Sequence, residues 1–404
     1  MSLELAKNSY FLNEFSGDVV QTLTDWKSPE NRKELFNRYF NWRILTHDLD
    51  HTHYMRTLCS DYDYERKAWF AMLFGMTYRT PQAFAYAETF KYVHEHTIEE
   101  FEEWNTNNWK RTSYGTDARY NKGHFASQVK SVKEWLGTDT FESKFKKILV
   151  HDNEKQNFYA MYSEILKLYK FGRMTGWLCL QALHDLLELP IDPKDIMIDG
   201  YSPNNDSSLQ SIWNGLCAYE NRPDKMVGKY GSYVISDKDV EYSREALMEY
   251  TRLAEENAGF KIDSFRKESI WCQYKRLFND NHSKEYAGHA SGDATSRYLY
   301  YREHWPEIDW TKFRLALRTQ PGYIKGCTYV NWYNSIFGEF NMMLNMNELY
   351  DDMPNVYNLL GEDANRNKVT EIWTDDNLVV PYLTNNISTF KTDILTTPKH
   401  YIKL

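Results

Sequence analysis

Leu168-Tyr169-Lys170-Phe171-Gly172-Arg173-Met174-Thr175-Gly176 lies between two stretches of helical periodicity, Phe158–Leu168 and Thr175–Leu187, and turns the chain about a single glycine. A tight turn of this kind delivers the start of a helix, where backbone N–H groups lack intrahelical partners and suit a phosphate oxygen. Downstream, Asp206-Ser207-Ser208-Leu209-Gln210-Ser211-Ile212-Trp213-Asn214-Gly215-Leu216 sets an aspartate at the head of another helical pattern. Two explanations fit. In one, Phe171-Gly172 is a plain interhelical loop and Asp206 an N-cap; in the other, the turn offers its free N–H groups to an anion.

Composition narrows the choice. The chain has 404 residues, 42% of them apolar, enough for one large core or several smaller ones. No apolar run reaches the roughly 18 residues of a membrane span, and no basic, then apolar, leader opens the chain, so the expectation is a cytoplasmic protein without a membrane partner. Five widely spaced cysteines, with no C-x-x-C pair, argue for reduced thiols rather than a disulfide framework or a cysteine zinc site. The net charge is −9, which on average repels nucleic acid. It is unevenly spread: residues 106–173 carry 13 Lys and Arg against 7 Asp and Glu, and this basic stretch ends at the turn. Sixty-five aromatic residues, 31 of them tyrosine, supply a core and leave some for base stacking.

Apolar residues recur at helical spacing in Arg32–Leu45, Glu65–Phe74, Asp239–Asn257 and Ser264–Phe278 as well as on both sides of the turn, and strand-like alternation is scarce. Ser28-Pro29-Glu30 and Thr97-Ile98-Glu99-Glu100 have the composition of helix starts. Pro190–Asp206 and residues 221–237 read as loops. The expected division is an N-terminal helical lobe (1–105), a DNA-binding region (106–235), a helical lobe completing the core (236–320) and a mixed C-terminal tail (321–404).

His47-Asp48-Leu49-Asp50-His51 matches the H-D-L-D-H metal motif of cyclic-nucleotide phosphodiesterases. That family's site needs a further histidine upstream, and residues 1–46 contain none, so no metal site is expected here.

The turn resembles the L-P-G-V-G-x-x-T-A pattern of helix-hairpin-helix DNA glycosylases, with Gly172 at the second glycine, Lys170 at the first and Tyr169 at the proline. The Asp206 stretch aligns with those enzymes' D-T-H-V-x-R-V-x-N-R-L. Further motifs follow in order: Arg38-Tyr39-Phe40-Asn41-Trp42-Arg43-Ile44-Leu45 with Asp48-Leu49-Asp50, Glu65-Arg66-Lys67-Ala68-Trp69 with Tyr78, and Trp109-Lys110-Arg111. Asp117-Ala118-Arg119-Tyr120-Asn121-Lys122, Asn214-Gly215-Leu216-Cys217 and Glu268-Ser269-Ile270-Trp271-Cys272-Gln273-Tyr274-Lys275 complete the set. Together they resemble the phage amino acid:DNA transferases, also described as α-glutamyl/putrescinyl thymine pyrophosphorylases. His51 stands where a proline is expected, and Ser211-Ile212-Trp213 replaces Ser-x-Arg.

The resemblance implies a mainly α fold, with a multi-helix, helix-hairpin-helix DNA-glycosylase-like core and additional helical lobes. It implies thymidine hypermodification in virus DNA: an amino acid replaces pyrophosphate on the C5-methylene of a pyrophosphorylated 5-hydroxymethyl-deoxyuridine, in the cytoplasm of the infected host. The partners implied are double-stranded DNA carrying the modified thymidine and a free amino acid, with glycine favoured. No cofactor is required, and a divalent cation is allowed. A DNA glycosylase acting on modified bases and a non-catalytic helical DNA-binding protein are the competing expectations.

Chemistry assigns the candidates. An amino acid attacks only after its ammonium loses a proton, which calls for a carboxylate: Asp206 first, by the glycosylase resemblance, with Asp48, Asp117, Asp199 and Glu268 in reserve. Departing pyrophosphate calls for cations, and Lys110, Arg111, Arg119 and Lys122 are close in sequence, with Arg43 behind them. The amino acid's carboxylate needs a partner such as Arg43 or Lys275, while Asn41 and Trp69 complete the substrate set, and Trp42, Trp69, Trp104 or Trp109 is the stacking or plugging ring for a flipped base. Lys170, Gly172, Arg173, Thr175 and Asn214 are the expected DNA contacts.

Overall fold

The computed structural model describes residues 28–45, 53–196, 207–278, 300–317 and 401–403. These are mainly helical, as the periodicity predicts. In chain order the helices are α1 (Arg32–Leu45), α2 (His53–Leu58), α3 (Tyr64–Thr77), α4 (Thr80–Thr89), α5 (Ile98–Asn108) and α6 (Phe125–Leu136). They continue as α7 (Phe141–Ile148), α8 (Glu154–Ile165), α9 (Arg173–Leu187), α10 (Ser207–Tyr219), α11 (Asp237–Ala258), α12 (Ser264–Tyr274) and α13 (Thr311–Leu317). A short antiparallel pair joins β1 (Phe260–Ile262) to β2 (Tyr401–Lys403) in the register Phe260 opposite Lys403.

Helix starts follow local chemistry. The Thr97 hydroxyl accepts the Glu100 N–H at 3.2 Å while the Thr97 N–H donates to the Glu100 carboxylate at 2.6 Å, the capping box that the sequence predicts. Asp63 caps α3 by accepting the Arg66 N–H at 2.8 Å. Ser28-Pro29 behaves differently: it opens a 3-10 turn ahead of α1, closed by the Asn31 N–H on the Ser28 carbonyl at 3.2 Å, and the serine side chain forms no cap.

The described helices form two compact units, each built from separated stretches of chain. The first draws on residues 52–194 and 297–317 and holds the turn at Gly172. Its centre is the pairing of α3 with α9, where Ala68–Thr77 and most of α9 are buried; α4 and α7 pack on α3, α8 on α9, and α5 on α6. Tyr86 of α4 stacks on Phe125 of α6 with ring centroids 3.9 Å apart. Each such ring contributes roughly 1.5–3 kcal/mol through its removal from water.

The second unit draws, among the described residues, on 28–45, 195–196, 207–278 and 401–403. Phe36 of α1 stacks on Trp271 of α12 at 4.3 Å, and the Trp271 indole N–H donates to the Thr251 hydroxyl of α11 at 2.8 Å. A Cβ at Gly215 of α10 would stand 2.2 Å from the Trp271 carbonyl oxygen, so the close crossing of α10 and α12 requires glycine there.

Between α8 and α9 the Phe171 N–H donates to the Leu168 carbonyl at 3.1 Å, closing a β-turn with Lys170 at φ 63°. Lys170 therefore occupies the left-handed position that favours glycine, and it stands where the glycosylase pattern has its first glycine. Gly172, the glycine that is present, has ordinary extended backbone and room for a Cβ. Its missing side chain leaves the start of α9 open to approach, and Thr175 closes the turn by accepting the Gly172 N–H at 2.8 Å. Left-handed backbone costs a non-glycine residue roughly 1–2 kcal/mol, part of which glycine returns through its freedom in the unfolded chain. Lys170→Gly is expected to stabilise the protein by about 0.5–1 kcal/mol, read as a higher Tm; a lower Tm would show that the lysine side chain outweighs the turn's strain.

Candidate functional site

Three large aromatics stand out by exposure in the first unit: Trp109 at 41%, Tyr120 at 67% and Tyr169 at 42%. Each carries a cation. Lys122 Nζ lies 5.8 Å from the Trp109 ring centre, the Arg119 guanidinium 4.7 Å from that of Tyr120, and Lys170 Nζ 5.9 Å from that of Tyr169. The rings belong to the 3-10 turn Trp109–Arg111, the 3-10 turn Thr116–Asn121 and the loop before α9.

Hydrogen bonds tie these pieces together. Lys122 Nζ donates to the Lys110 carbonyl at 3.1 Å, and the buried Asn121 side chain donates to the Lys170 carbonyl at 3.2 Å. The Ser131 hydroxyl on α6 accepts the Tyr169 N–H at 2.8 Å, and the Tyr169 hydroxyl lies 3.4 Å from His124 Nδ1. Beneath them, Gln82 Oε1 accepts from the Ser113 N–H at 2.9 Å and from the Tyr301 hydroxyl at 3.1 Å. Tyr86 and Tyr114 share a hydroxyl contact at 3.0 Å, and burial pushes both phenols far above their ordinary range, so they stay protonated. The face is thus an anchored row of rings interleaved with cations, an arrangement that suits bases stacked between phosphates.

Other expected residues have different surroundings. Arg111 is committed: it lies 3.9 Å over the Trp305 ring, donates to the His304 carbonyl at 3.0 Å and pairs with Glu307 at 2.5 Å. Trp69 is fully buried and its indole N–H donates to the Phe90 carbonyl at 2.9 Å, which makes it a core residue and not a ring that reaches a base. Its neighbours are equally architectural. Glu65 caps α7 by accepting the Phe141 and Glu142 N–H groups at 2.8 and 2.9 Å, and Arg66 pairs with Glu88 at 2.5 Å. Asn214, expected at DNA, is buried and clamps the Val227 backbone, donating at 3.1 Å and accepting at 2.9 Å. Trp213, in place of the expected arginine, is core, with its N–H on the Lys225 carbonyl at 2.7 Å. Thr175 is buried beneath the start of α9, whereas Lys110, Arg119, Lys122 and Lys170 are exposed and Arg173 half-buried.

Asn41, Trp42 and Arg43 lie on α1 and Asp117 in a 3-10 turn, their side chains outside the described residues; Asp48, Asp199 and Asp206 lie outside them altogether. The His47–His51 run does too, and among the described residues no three His, Cys, Asp or Glu side chains gather as a metal site.

Glu268 lies on α12, and Lys275 is its C-cap and opens the 3-10 turn Lys275–Phe278. Ile270, Trp271 and Tyr274 enter the apolar core of the second unit. The same segment also buries Arg266, Glu268, Gln273 and Lys275, between 2% and 8% exposed, while half-buried Cys272 packs against the apolar core. Arg266 pairs with the N-cap Asp263 at 2.9 Å, the Ser269 hydroxyl reaches Glu268 at 3.5 Å, and the Gln273 carbonyl oxygen is buried without a hydrogen-bond partner. Burying several ionic groups on one helix is costly unless each is matched, and such clusters concentrate at working sites. Arg266 and Gln273 escaped the sequence reading because a buried charge is invisible until burial is known. Tyr120 and Tyr169 were legible only as aromatics next to Arg119 and Lys170.

The profile of a family described as amino acid:DNA transferase matches residues 44–283, more than half of the chain. A curated relative, the serinyltransferase of Salmonella phage ViI, is 26% identical over 227 residues, covering 52% of this chain and 53% of that protein. The chain therefore matches about half the length of this relative.

Proposed function

Because the chain belongs to the amino acid:DNA transferase family, we propose that it joins a free amino acid to a modified thymine in double-stranded DNA, in the cytoplasm of an infected host cell. The observation that carries this is the exposed row of Trp109, Tyr120 and Tyr169 with their cations, set beside the start of α9.

The acceptor is the C5-methylene of 5-hydroxymethyl-deoxyuridine carrying pyrophosphate. The amine nitrogen attacks the methylene, the new C–N bond replaces the C–O bond, and pyrophosphate leaves with the bonding electrons. Reaching C5 in a duplex takes the nucleotide out of the stack, at a cost of a few kcal/mol that ring stacking and phosphate contacts offset. Lys110, Arg119 and Lys122 are the cations for phosphate groups on this face, and Lys170 and the open start of α9 grip the backbone. The name of the phage relative favours serine over glycine as the amino acid.

DNA carrying 5-pyrophosphoryloxymethyl-uracil, incubated with the protein and an amino acid mixture, digested and weighed as nucleosides, tests this directly. The expected product has the mass of a serine adduct and appears with released pyrophosphate. Release of free base with abasic sites would identify a glycosylase instead; unchanged DNA and no pyrophosphate above the protein-free rate would leave a DNA-binding protein.

A further inference from the structure

We propose that Gln128 on α6 reads the edge of the base taken out of the duplex, in the place that the Tyr169 ring covers. The assignment deepens the transferase reading and rests on it. Gln128 is 0% exposed, yet neither its amide oxygen nor its amide nitrogen has a hydrogen-bond partner. Among the described residues it is the one buried side-chain amide with both ends unpaired. Burying an amide in that state costs free energy, so the position calls for a partner that arrives with the substrate.

What covers Gln128 follows from the register of α6. His124, Gln128 and Ser131 stand at i, i+4 and i+7 and share one face, and the Gln128 N–H donates to the His124 carbonyl at 3.0 Å in the first turn. Tyr169 is fastened at both ends of that row. Its N–H donates to the Ser131 hydroxyl at 2.8 Å, and its own hydroxyl lies 3.4 Å from His124 Nδ1. The residue therefore runs along α6 across the turn that carries Gln128. Its ring is 42% exposed. Rotation about the Tyr169 Cα–Cβ bond lifts the ring from α6 while the N–H stays on Ser131, a motion of picoseconds to nanoseconds for an exposed side chain. The space released is that of one six-membered ring, the size of a pyrimidine.

The chemistry of the two partners matches. An amide presents a donor beside an acceptor, and a uracil ring presents N3–H beside O4, so they meet through paired hydrogen bonds. The C5 substituent is next to O4 on that ring. Lys122 precedes His124 by two residues and Lys170 follows Tyr169, which sets cations next to the phosphate groups of that substituent. The displaced Tyr169 ring stacks on a neighbouring base.

Two duplexes test the assignment with the whole chain. One carries a single 5-hydroxymethyluracil and the other its 3-deaza analogue, in which C–H replaces N3–H. Each target stands opposite an abasic site, so that base pairing does not differ, and beside a 2-aminopurine whose fluorescence rises when its neighbour leaves the stack. The wild-type chain is expected to flip both and to bind the first about tenfold more tightly. Gln128→Met keeps the length of the side chain and removes the unpaired amide; it is expected to bind the two duplexes equally and to raise Tm by on the order of 3 °C. Equal binding of the two duplexes by the wild-type chain, or no rise in fluorescence with it, would overturn the base site without recourse to any variant. An undiminished preference in Gln128→Met would overturn it as well. A preference lost in Gln128→Met, with no amino acid adduct on pyrophosphorylated DNA, would uphold the base site and overturn the transferase reading; adducts from a wild-type chain that treats the two duplexes alike would do the reverse.

Discussion

Gly75→Ala is expected to cost about 2–3 kcal/mol of stability and to weaken DNA binding, although the residue is far in sequence from any candidate contact. Gly75 lies on α3 where α9 crosses it, and a Cβ there would stand 2.6 Å from Cys179 Cβ and 3.1 Å from the Phe171 ring. Neither neighbour is a flexible chain end. The Cys179 Cβ is fixed to the α9 backbone, and Phe171 is the buried residue of the turn that sets Lys170 and Gly172 in place. Separating α3 from α9 therefore moves the start of α9 as well as the core. The loss corresponds to a fall in Tm on the order of 5–10 °C. Cys179→Gly removes the opposing Cβ, so adding it to Gly75→Ala is expected to recover part of the stability despite glycine's helix cost of about 1 kcal/mol. Strict additivity of the two changes would show that the crossing does not depend on Gly75.

This pair also marks the limit of what the chain discloses unaided. Helical periodicity reports which side of α3 is apolar, so the elements were legible: Arg32–Leu45 is α1, and the patterns at 175–187 and 239–257 fall within α9 and α11. Which helix meets which is not in the periodicity, and Cys179 as the partner of Gly75 appears only in the fold. The motifs had the same ambiguity. Trp69, Glu65 and Asn214 belong to those motifs yet serve as a core ring, a helix cap and a backbone clamp, and sequence gives such residues the same weight as ones that touch a ligand. Arg111 differs from Lys122 in one respect that sequence does not record: its guanidinium is held by Trp305, His304 and Glu307, which arrive from nearly two hundred residues away. Conversely, Asn121 links two motifs that looked separate, since its side chain holds the Lys170 carbonyl.

Replacing Lys110, Lys122 and Lys170 together by alanine is expected to weaken binding to duplex DNA about a hundredfold near physiological salt and to change its salt dependence. A lysine on a phosphate releases condensed counterions, and each contact contributes about −0.9 to the slope of log K against log salt. Losing three is expected to reduce that slope by about 3, with each single substitution reducing it by about 1. All three side chains are exposed, and Lys110 and Lys122 come from turns rather than helix interiors, so the fold is expected to survive with little change in Tm. Arg111→Ala provides the contrast. Its guanidinium is held by Trp305 and Glu307, so its loss is expected to lower Tm while leaving the slope nearly unchanged. Tyr169→Phe keeps the ring and loses only the hydroxyl near His124, whereas Tyr169→Ala removes a stacking surface worth about 1–3 kcal/mol per base. A face that binds by stacking and charge together requires Tyr169→Ala to weaken binding at all salt concentrations with the slope preserved. Fluorescence titration of labelled duplex over a salt series separates the two contributions: equal slopes for wild type and the triple variant would remove the lysine row from the DNA interface, and tight binding by Tyr169→Ala would remove the ring.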